Sequence, residues 1–212
     1  MDSWKNNIVQ AIQAMSYWEV AAVILGITYL LLAVNESLWC WYAAFISTAI
    51  FLYVFWQVNL VMESALQVYY LAMAVYGWWQ WQHGENKPEG STANLSISTW
   101  SIRKHALAIG AVILSSILSA TLLAHYTQAA LPLLDSFTTW GSIVTTWMVT
   151  RKVLENWLYW MVIDSVSIYL YLDRGLYLTA ILFLAYLLIV IFGYRKWLRH
   201  YRETSSLSSG KH

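Results

Sequence analysis

Seven stretches of mostly apolar residues divide this chain, and each is close to the length of a membrane-spanning helix. They cover residues 18–34, 38–56, 60–81, 106–124, 129–149, 157–172 and 175–194. A helix needs about 20 residues to cross a bilayer, so seven spans use about 140 of the residues, out of 212. Composition agrees, because 59% of the residues are hydrophobic and only 11% are charged, against about 25% charged in soluble domains. The sequence therefore predicts an all-α integral membrane protein with no separate catalytic or nucleic-acid-binding domain.

Net charge and cysteine content exclude several kinds of partner and site. The net charge of +1 does not favour capture of a polyanion, so no nucleic acid is expected as a partner. Cys40 is the only cysteine, which excludes an intrachain disulfide and any multi-cysteine metal site. We expect neither a metal nor a cofactor. The first fifteen residues lack the pattern of a signal peptide and resemble an interfacial amphipathic segment instead.

The positive charges predict the orientation of the chain. When seven spans are threaded across the bilayer, ten lysines and arginines fall on one side and only Lys5 and Arg174 on the other. The crowded side receives the loop after span three, the loop after span five and the carboxyl-terminal tail. Because basic residues concentrate in cytoplasmic loops, the amino terminus is predicted outside and the carboxyl terminus in the cytoplasm.

The two halves of the chain look like copies. Residues 36–52 match 155–171 with an offset of 119, and residues 63–81 match 179–197 with an offset of 116. The matched pairs are Glu36 and Glu155, Trp41 and Trp160, Thr48 and Ser167, then Tyr70 and Tyr186, Gly77 and Gly193, and Trp81 and Trp197. Each copy has three spans, and one connector span separates the copies, so both copies cross the membrane in the same direction. Such a parallel repeat occurs in SWEET transporters. Chance matches between two helices rich in Trp and Tyr are the alternative.

This repeat sets the predicted division of the chain. The segments are an amphipathic segment at 1–16, the first three-helix repeat at 17–82, a polar loop and connector helix at 83–128, the second repeat at 129–200 and a cytoplasmic tail at 201–212.

Polar residues at membrane depth mark a candidate site, because such residues face the protein interior or a water-filled cavity. Span six carries one helical stripe, made of Asn156, Trp160, Asp164, Ser167 and Tyr171. The equivalent stripe in span two, by the offset of 119, is Trp41, Phe45, Thr48 and Leu52. Span three adds Glu63, Gln67 and Tyr70 at helical spacing.

Carboxylates, amides and aromatic faces suit a flat cationic ligand that carries hydroxyl groups, since indole and phenol rings attract cations and carboxylates accept hydrogen bonds. Each feature has a second interpretation. Most of the fourteen Trp fit interfacial belts or packing. Glu63 fits a solvated position near the surface, and Asp164 fits a structural role.

Two motifs carry a family resemblance: YGWWQW at 76–81, and NWLYW at 156–160 followed by Asp164. With the flanking spans, they make residues 17–197 resemble the nicotinamide riboside transporter family (PnuC type). The resemblance implies a 3+1+3 SWEET-like fold, a homotrimer in the bacterial inner membrane, and uptake of nicotinamide riboside as an NAD precursor. Relatives of that family carry thiamine, riboflavin or deoxynucleosides, so these substrates stay open.

The predicted mechanism is facilitated diffusion by alternating access, with substrate bound between the two repeats. The candidate substrate-binding residues are Trp41, Phe45, Glu63, Gln67, Tyr70, Asn156, Trp160, Asp164 and Ser167. The chain has no GxxxxGK[ST] loop, so direct use of ATP is not expected. The resemblance implies that phosphorylation in the cytoplasm traps the substrate. Proton coupling through Asp164 or Glu63 stays open, and Gly77 and Gly193 are candidate hinges.

Other protein classes fit less well. A retinal photoreceptor needs a lysine in the last span, and residues 175–194 contain none. An intramembrane hydrolase needs a nucleophile and base or a zinc motif, and no HExxH occurs, so an enzyme is not expected. A membrane protein with a purely structural role stays as the rival, and it predicts no saturable ligand binding.

Overall fold

Seven helices make up the part of the chain that the computed structural model describes, residues 16–57, 61–84, 95–126, 131–173 and 175–209. They are α1 (Tyr17–Val34), α2 (Trp39–Gln57), α3 (Val61–His83), α4 (Ile102–Tyr126), α5 (Pro132–Thr150), α6 (Asn156–Asp173) and α7 (Tyr177–Ser209). Each helix coincides with one predicted span. The predicted amphipathic segment at the amino terminus lies outside the described residues.

Four of these helices, α1, α2, α4 and α7, are long and apolar enough to cross a membrane. The others carry polar side chains that the sequence assigns to the protein interior, among them Gln67 and Asp164. Helix α7 runs well past the predicted end of its span at residue 194, to Ser209. Its extension is anchored because Trp197 is fully buried against the bundle.

The helices pack as two similar units. Helix α2 contacts α1 and α3, helix α6 contacts α5 and α7, and the units meet through α1 with α7 and α3 with α5. The contacts are symmetric between the units. When α1 is exchanged with α5, α2 with α6 and α3 with α7, the same pairs of helices are in contact. Helix α4 packs on α5 outside the ring of six. The result is a 3+1+3 arrangement with a parallel internal repeat, consistent with the SWEET-like fold.

The structure sets the repeat at an offset of 116 throughout, so the predicted offset of 119 for the first block is wrong. The Trp41 ring lies against Gly77, where an added Cβ would come within 2.3 Å of it. The same ring meets Trp81 edge-on, with ring centroids 5.3 Å apart and planes at 85°. These contacts recur 116 residues later in Trp157, Gly193 and Trp197, with centroids 5.3 Å apart and planes at 87°.

Trp157 and Trp160 explain the wrong offset. They stand three residues apart, so either can be matched to Trp41 in the sequence, and the match to Trp160 also paired Glu36 with Glu155. The backbone conformation shows that the repeat equivalent of Glu36 is Lys152 and not Glu155. Glu36 and Lys152 have positive φ angles, 53° and 48°, just after the ends of α1 and α5. The two connections therefore turn in the same way at equivalent positions.

Four indole rings form a continuous layer across the bundle, which we call the tryptophan layer: Trp41, Trp81, Trp157 and Trp197. Trp81 and Trp197 join its two halves, with ring centroids 6.2 Å apart. Each of these two also donates a hydrogen bond from Nε1 to the opposite repeat, Trp81 to the Val149 carbonyl at 3.1 Å and Trp197 to the Ala33 carbonyl at 3.2 Å. The tryptophan layer thus ties the two repeats together near the end of the bundle that carries the α1–α2 and α5–α6 connections, here called the loop face.

Candidate substrate site

A cavity of about 460 Å³ lies inside the ring of six helices. It reaches from Trp41, in the tryptophan layer, to Phe55 in the last turn of α2 and Thr138 in the second turn of α5. Side chains from both repeats line it, so the cavity lies between the two units. Most of its wall is aromatic or aliphatic, and the rest consists of seven Ser or Thr hydroxyls, one amide and one carboxyl group. Such a wall is typical of small-molecule sites.

The structure brings six of the nine predicted site residues together around this cavity. They are Trp41, Gln67, Tyr70, Trp160, Asp164 and Ser167. Phe45 does not line it, and its side chain is 43% exposed on the outside of the bundle. Asn156 does not line it either. It is buried at the start of α6, where Nδ2 donates to the Val153 carbonyl at 2.6 Å. The side chain of Glu63 lies outside the described residues.

The corrected repeat explains the position of Phe45. The cavity residues of α6 include Trp160, Asp164, Ser167 and Tyr171, and those of α2 include Ala44, Thr48, Phe51 and Phe55. The two sets differ by 116 at every position. An offset of 119 shifts the prediction by three residues, which rotates the chosen face of a helix by about 60°. That rotation selected Phe45 and Leu52 in place of Ala44, Phe51 and Phe55.

Helix α5 contributes a polar wall that was not among the features predicted from the sequence. Thr139, Ser142 and Thr146 line the cavity, at the spacings of three and four that place residues on one helix face. That spacing was visible in the sequence. Tyr29 from α1, with Phe183 and Tyr186 from α7, complete the aromatic part of the lining.

Asp164 is the only charged residue among the described residues that line the cavity. Its side chain is 3% exposed, and its equivalent in the first repeat is the neutral Thr48. No basic side chain lines the cavity within the described part of the chain. A cation that enters this space therefore meets one carboxyl group and several aromatic faces.

Trp41 joins the cavity to the tryptophan layer. Its ring lines the cavity and lies against the backbone of α3 at Gly77. The Nε1 donor of Trp41 is buried and has no hydrogen-bond partner within the described residues. The close contact at Gly77 shows that this glycine makes room for an indole ring, and its role as a hinge stays a prediction. Gly193 makes the same room for Trp157.

Charged residues cover the loop face beyond the tryptophan layer. Lys152 donates from Nζ to Glu36 Oε2 at 2.8 Å, and its ammonium lies 4.5 Å from the centre of the Trp81 ring. His200, on the extension of α7, bonds the other carboxylate oxygen of Glu36. Although burial opposes ionisation of Glu36, Lys152 and His200 hold the pKa of its carboxyl below the usual range. Burial lowers the pKa of Lys152 against the opposing effect of Glu36.

The polar loop between α3 and α4 also fastens to the loop face. Ser98 donates its backbone N–H to the Lys152 carbonyl at 3.0 Å and accepts from Leu154 N–H at 2.8 Å. Leu95 donates to the Trp81 carbonyl at 3.1 Å. This segment therefore bonds to both repeats. Within the described residues, no group of three His, Cys, Asp or Glu side chains is placed to hold a metal ion.

Comparison with known proteins decides the family. The model of the nicotinamide mononucleotide transporter family matches residues 16–199. The chain belongs to this family. Its members are transporters, which confirms that the protein is not an enzyme. With its apolar helices, the chain is a multi-pass protein of the bacterial inner membrane.

Two relatives with named substrates are about equally similar. The riboflavin/roseoflavin transporter RibM of Streptomyces davaonensis is 27% identical over 212 residues, 98% of each chain. The nicotinamide riboside transporter PnuC of Escherichia coli is 26% identical over 216 residues, covering 91% of this chain and 89% of that one. A crystal structure of the vitamin B3 transporter PnuC shares the fold, with a TM-score of 0.70, 21% identity, and coverage of 93% and 87%.

Proposed function

We propose that this protein carries nicotinamide riboside across the bacterial inner membrane by facilitated diffusion. The observation that carries the proposal is the cavity between the two repeats, in which one buried carboxyl group, Asp164, faces aromatic rings. Nicotinamide riboside is an aromatic cation attached to a ribose, and the cavity offers a partner for each of these parts. The named substrate of the PnuC relative supports the same choice.

Each lining residue has a role in this proposal. Trp41 and Trp160, from opposite repeats, flank the nicotinamide ring. Gln67 and Asp164 bond the ribose hydroxyls or the amide, with Tyr70 and Ser167 assisting. Phe45 and Asn156 have no part in it, because they lie away from the cavity. Glu63 stays a prediction.

Transport follows from exchange between two arrangements of the repeats. The tryptophan layer closes the cavity at the loop face, and the cavity extends toward the opposite ends of α2 and α5. The basic residues predict that the loop face is cytoplasmic, with the amino terminus outside. In this arrangement the cavity therefore faces the outside of the cell. Opening at the loop face releases the substrate, and phosphorylation in the cytoplasm keeps it there. The assembly is proposed to be a homotrimer.

Riboflavin is the second candidate, because the riboflavin transporter RibM is as similar to this chain as the PnuC relative. Riboflavin is an uncharged molecule with a larger ring system. It would use the aromatic walls of the cavity but has no positive charge to pair with the Asp164 carboxyl group. Thiamine and deoxynucleosides remain alternatives from the family resemblance.

Calorimetric titration of the purified protein tests the proposal, with nicotinamide riboside, riboflavin, thiamine and a deoxynucleoside in parallel. We expect saturable binding of nicotinamide riboside. We expect Trp160→Ala to weaken it by about 10- to 100-fold, since stacking on an aromatic side chain contributes about 1–3 kcal/mol. Trp56→Ala is the matched control, because Trp56 is 64% exposed and away from the cavity.

Each other result has a definite meaning. Saturable binding of riboflavin alone would keep the transporter and replace the substrate. Binding of none of the four by a folded sample would contradict the proposal and favour a structural membrane protein. Equal weakening by both Trp variants would show that the loss comes from general destabilisation, not from the site.

A further inference from the structure

We propose that Glu36 and Lys152 are positioning residues for transport, whose ion pair between the two repeats keeps the loop face closed and must separate before substrate can leave there. The inference rests on the proposed transport function and adds the residues that control one of its two openings.

The repeat places this pair on the axis that relates the two copies. Glu36 and Lys152 are equivalent residues at the offset of 116, and they share the same positive-φ turn. Two equivalent positions can touch only where both lie close to that axis. Their 2.8 Å contact therefore marks its position at the loop face. Trp81 and Trp197, also equivalent, meet on the same axis one layer deeper.

Burial makes the pair sensitive to separation of the repeats. The side chain of Lys152 is 1% exposed, and that of Glu36 is 17% exposed. A buried ammonium without its partner is costly. In the closed arrangement the Lys152 ammonium contacts both the Glu36 carboxylate and the Trp81 ring. Movement of one repeat away from the other removes the carboxylate, because the two residues belong to different repeats.

Trp81 carries the effect from the ion pair toward the site. Its ring contacts the Lys152 ammonium and meets Trp41 edge-on, and Trp41 lines the cavity. The ion pair itself does not line the cavity. Loss of the pair should therefore change opening at the loop face much more than it changes substrate affinity.

Cys40 provides a direct probe of that opening. It is the only cysteine in the chain, and it is fully buried in the first turn of α2, within the core cluster that contains the tryptophan layer. Reaction with a small maleimide requires the loop face to open. The labelling rate of Cys40 in proteoliposomes thus reports the open population independently of transport.

The experiment compares Cys40 labelling, substrate Kd and transport rate in wild type, Glu36→Gln, Lys152→Gln, the charge exchange Glu36→Lys with Lys152→Glu, and Glu155→Gln. The last is the matched control: Glu155 also lies in a loop-face connection, but it bonds Trp100 N–H at 3.3 Å and makes no contact with the first repeat that the structure records. We expect Glu36→Gln to speed labelling and to change the transport rate by roughly tenfold, with Kd within about threefold of wild type. The charge exchange re-forms the ion pair but not the bond from residue 36 to His200, so it should restore most of both, and the control should match wild type.

The outcomes separate the two proposals. Wild-type labelling and transport rates in both Glu36→Gln and Lys152→Gln would overturn the positioning role. Faster labelling in Glu36→Gln without rescue by the charge exchange would also overturn it, since that points to a structural defect. If wild type carries none of the tested substrates, the transport proposal fails, while the Cys40 labelling rates still decide whether the ion pair holds the loop face closed.

Discussion

The two three-helix repeats are nearly interchangeable at the loop face and differ along the cavity. At the loop face, each copy places a tryptophan against a glycine and a second tryptophan edge-on to the first. Each copy also donates one indole hydrogen bond to a carbonyl of the other. Along the cavity, the equivalents of Ala44 and Thr48 are Trp160 and Asp164.

This difference separates two tasks. A closure that joins two copies works best when the copies match, because the same contact then forms twice about one axis. An asymmetric ligand needs different groups on its two sides, so the cavity faces of the copies diverge. The comparison predicts that variants of the loop face act in equivalent pairs and that variants of the cavity do not.

The largest effects are expected at the two packed glycines. An added methyl would meet the Trp41 ring in Gly77→Ala at 2.3 Å and the Trp157 ring in Gly193→Ala at 2.7 Å. Overpacking of this kind costs about 1–3 kcal/mol or more, so thermal unfolding should show both variants destabilised. Only Gly77→Ala should also weaken substrate binding in calorimetry, because Trp41 lines the cavity and Trp157 does not.

Gly110→Ala is the control for this pair, since nothing lies within 4 Å of the added methyl and alanine is the better helix former. It should be neutral or slightly stabilising. Unchanged stability in Gly77→Ala would mean that the Trp41 ring can move aside, and the proposed link between layer and cavity would fail.

Substitutions of Asp164 and Thr48 test whether the cavity faces of α6 and α2 contribute differently to binding. Asp164→Asn replaces the carboxyl group with a neutral amide and should weaken binding of nicotinamide riboside by about tenfold, roughly 1.4 kcal/mol. Thr48→Val, at the equivalent position, should change it by less than about threefold. Calorimetry measures the affinity of both variants for nicotinamide riboside. If riboflavin also binds, it serves as an uncharged second ligand. Equal losses in the two variants would show that both faces contribute alike.

The smallest effects are expected from the indole donors. Trp81→Phe and Trp197→Phe each remove one hydrogen bond between the repeats, at a cost of about 0.5–1.5 kcal/mol, because the Val149 and Ala33 carbonyls still accept from the backbone N–H groups of Lys152 and Glu36. Because the two bonds are equivalent, thermal unfolding should give losses of similar size. A clear difference between the two losses would show that the two repeats contribute unequally to the stability of the closed loop face, although the two bonds have similar geometry.

Sequence patterns predicted the features that are local and missed those that depend on distant residues. The spans followed from their length, and the cavity face of α6 followed from a polar stripe around Asp164. The face of α2 did not, because Trp157 and Trp160 offered two matches to Trp41 and only packing against Gly77 distinguishes them. The pairing of Glu36 with Lys152 joins residues 116 positions apart, and no periodicity signals such a contact.

The tryptophan layer has an optical consequence. Indole rings held 5.3 to 6.2 Å apart in fixed orientations couple their electronic transitions and give near-ultraviolet circular dichroism that depends on their geometry. The central pair, Trp81 and Trp197, joins the repeats, so the proposed opening of the loop face would separate these two rings and remove their coupling. The near-ultraviolet spectrum would then report that opening without any added label.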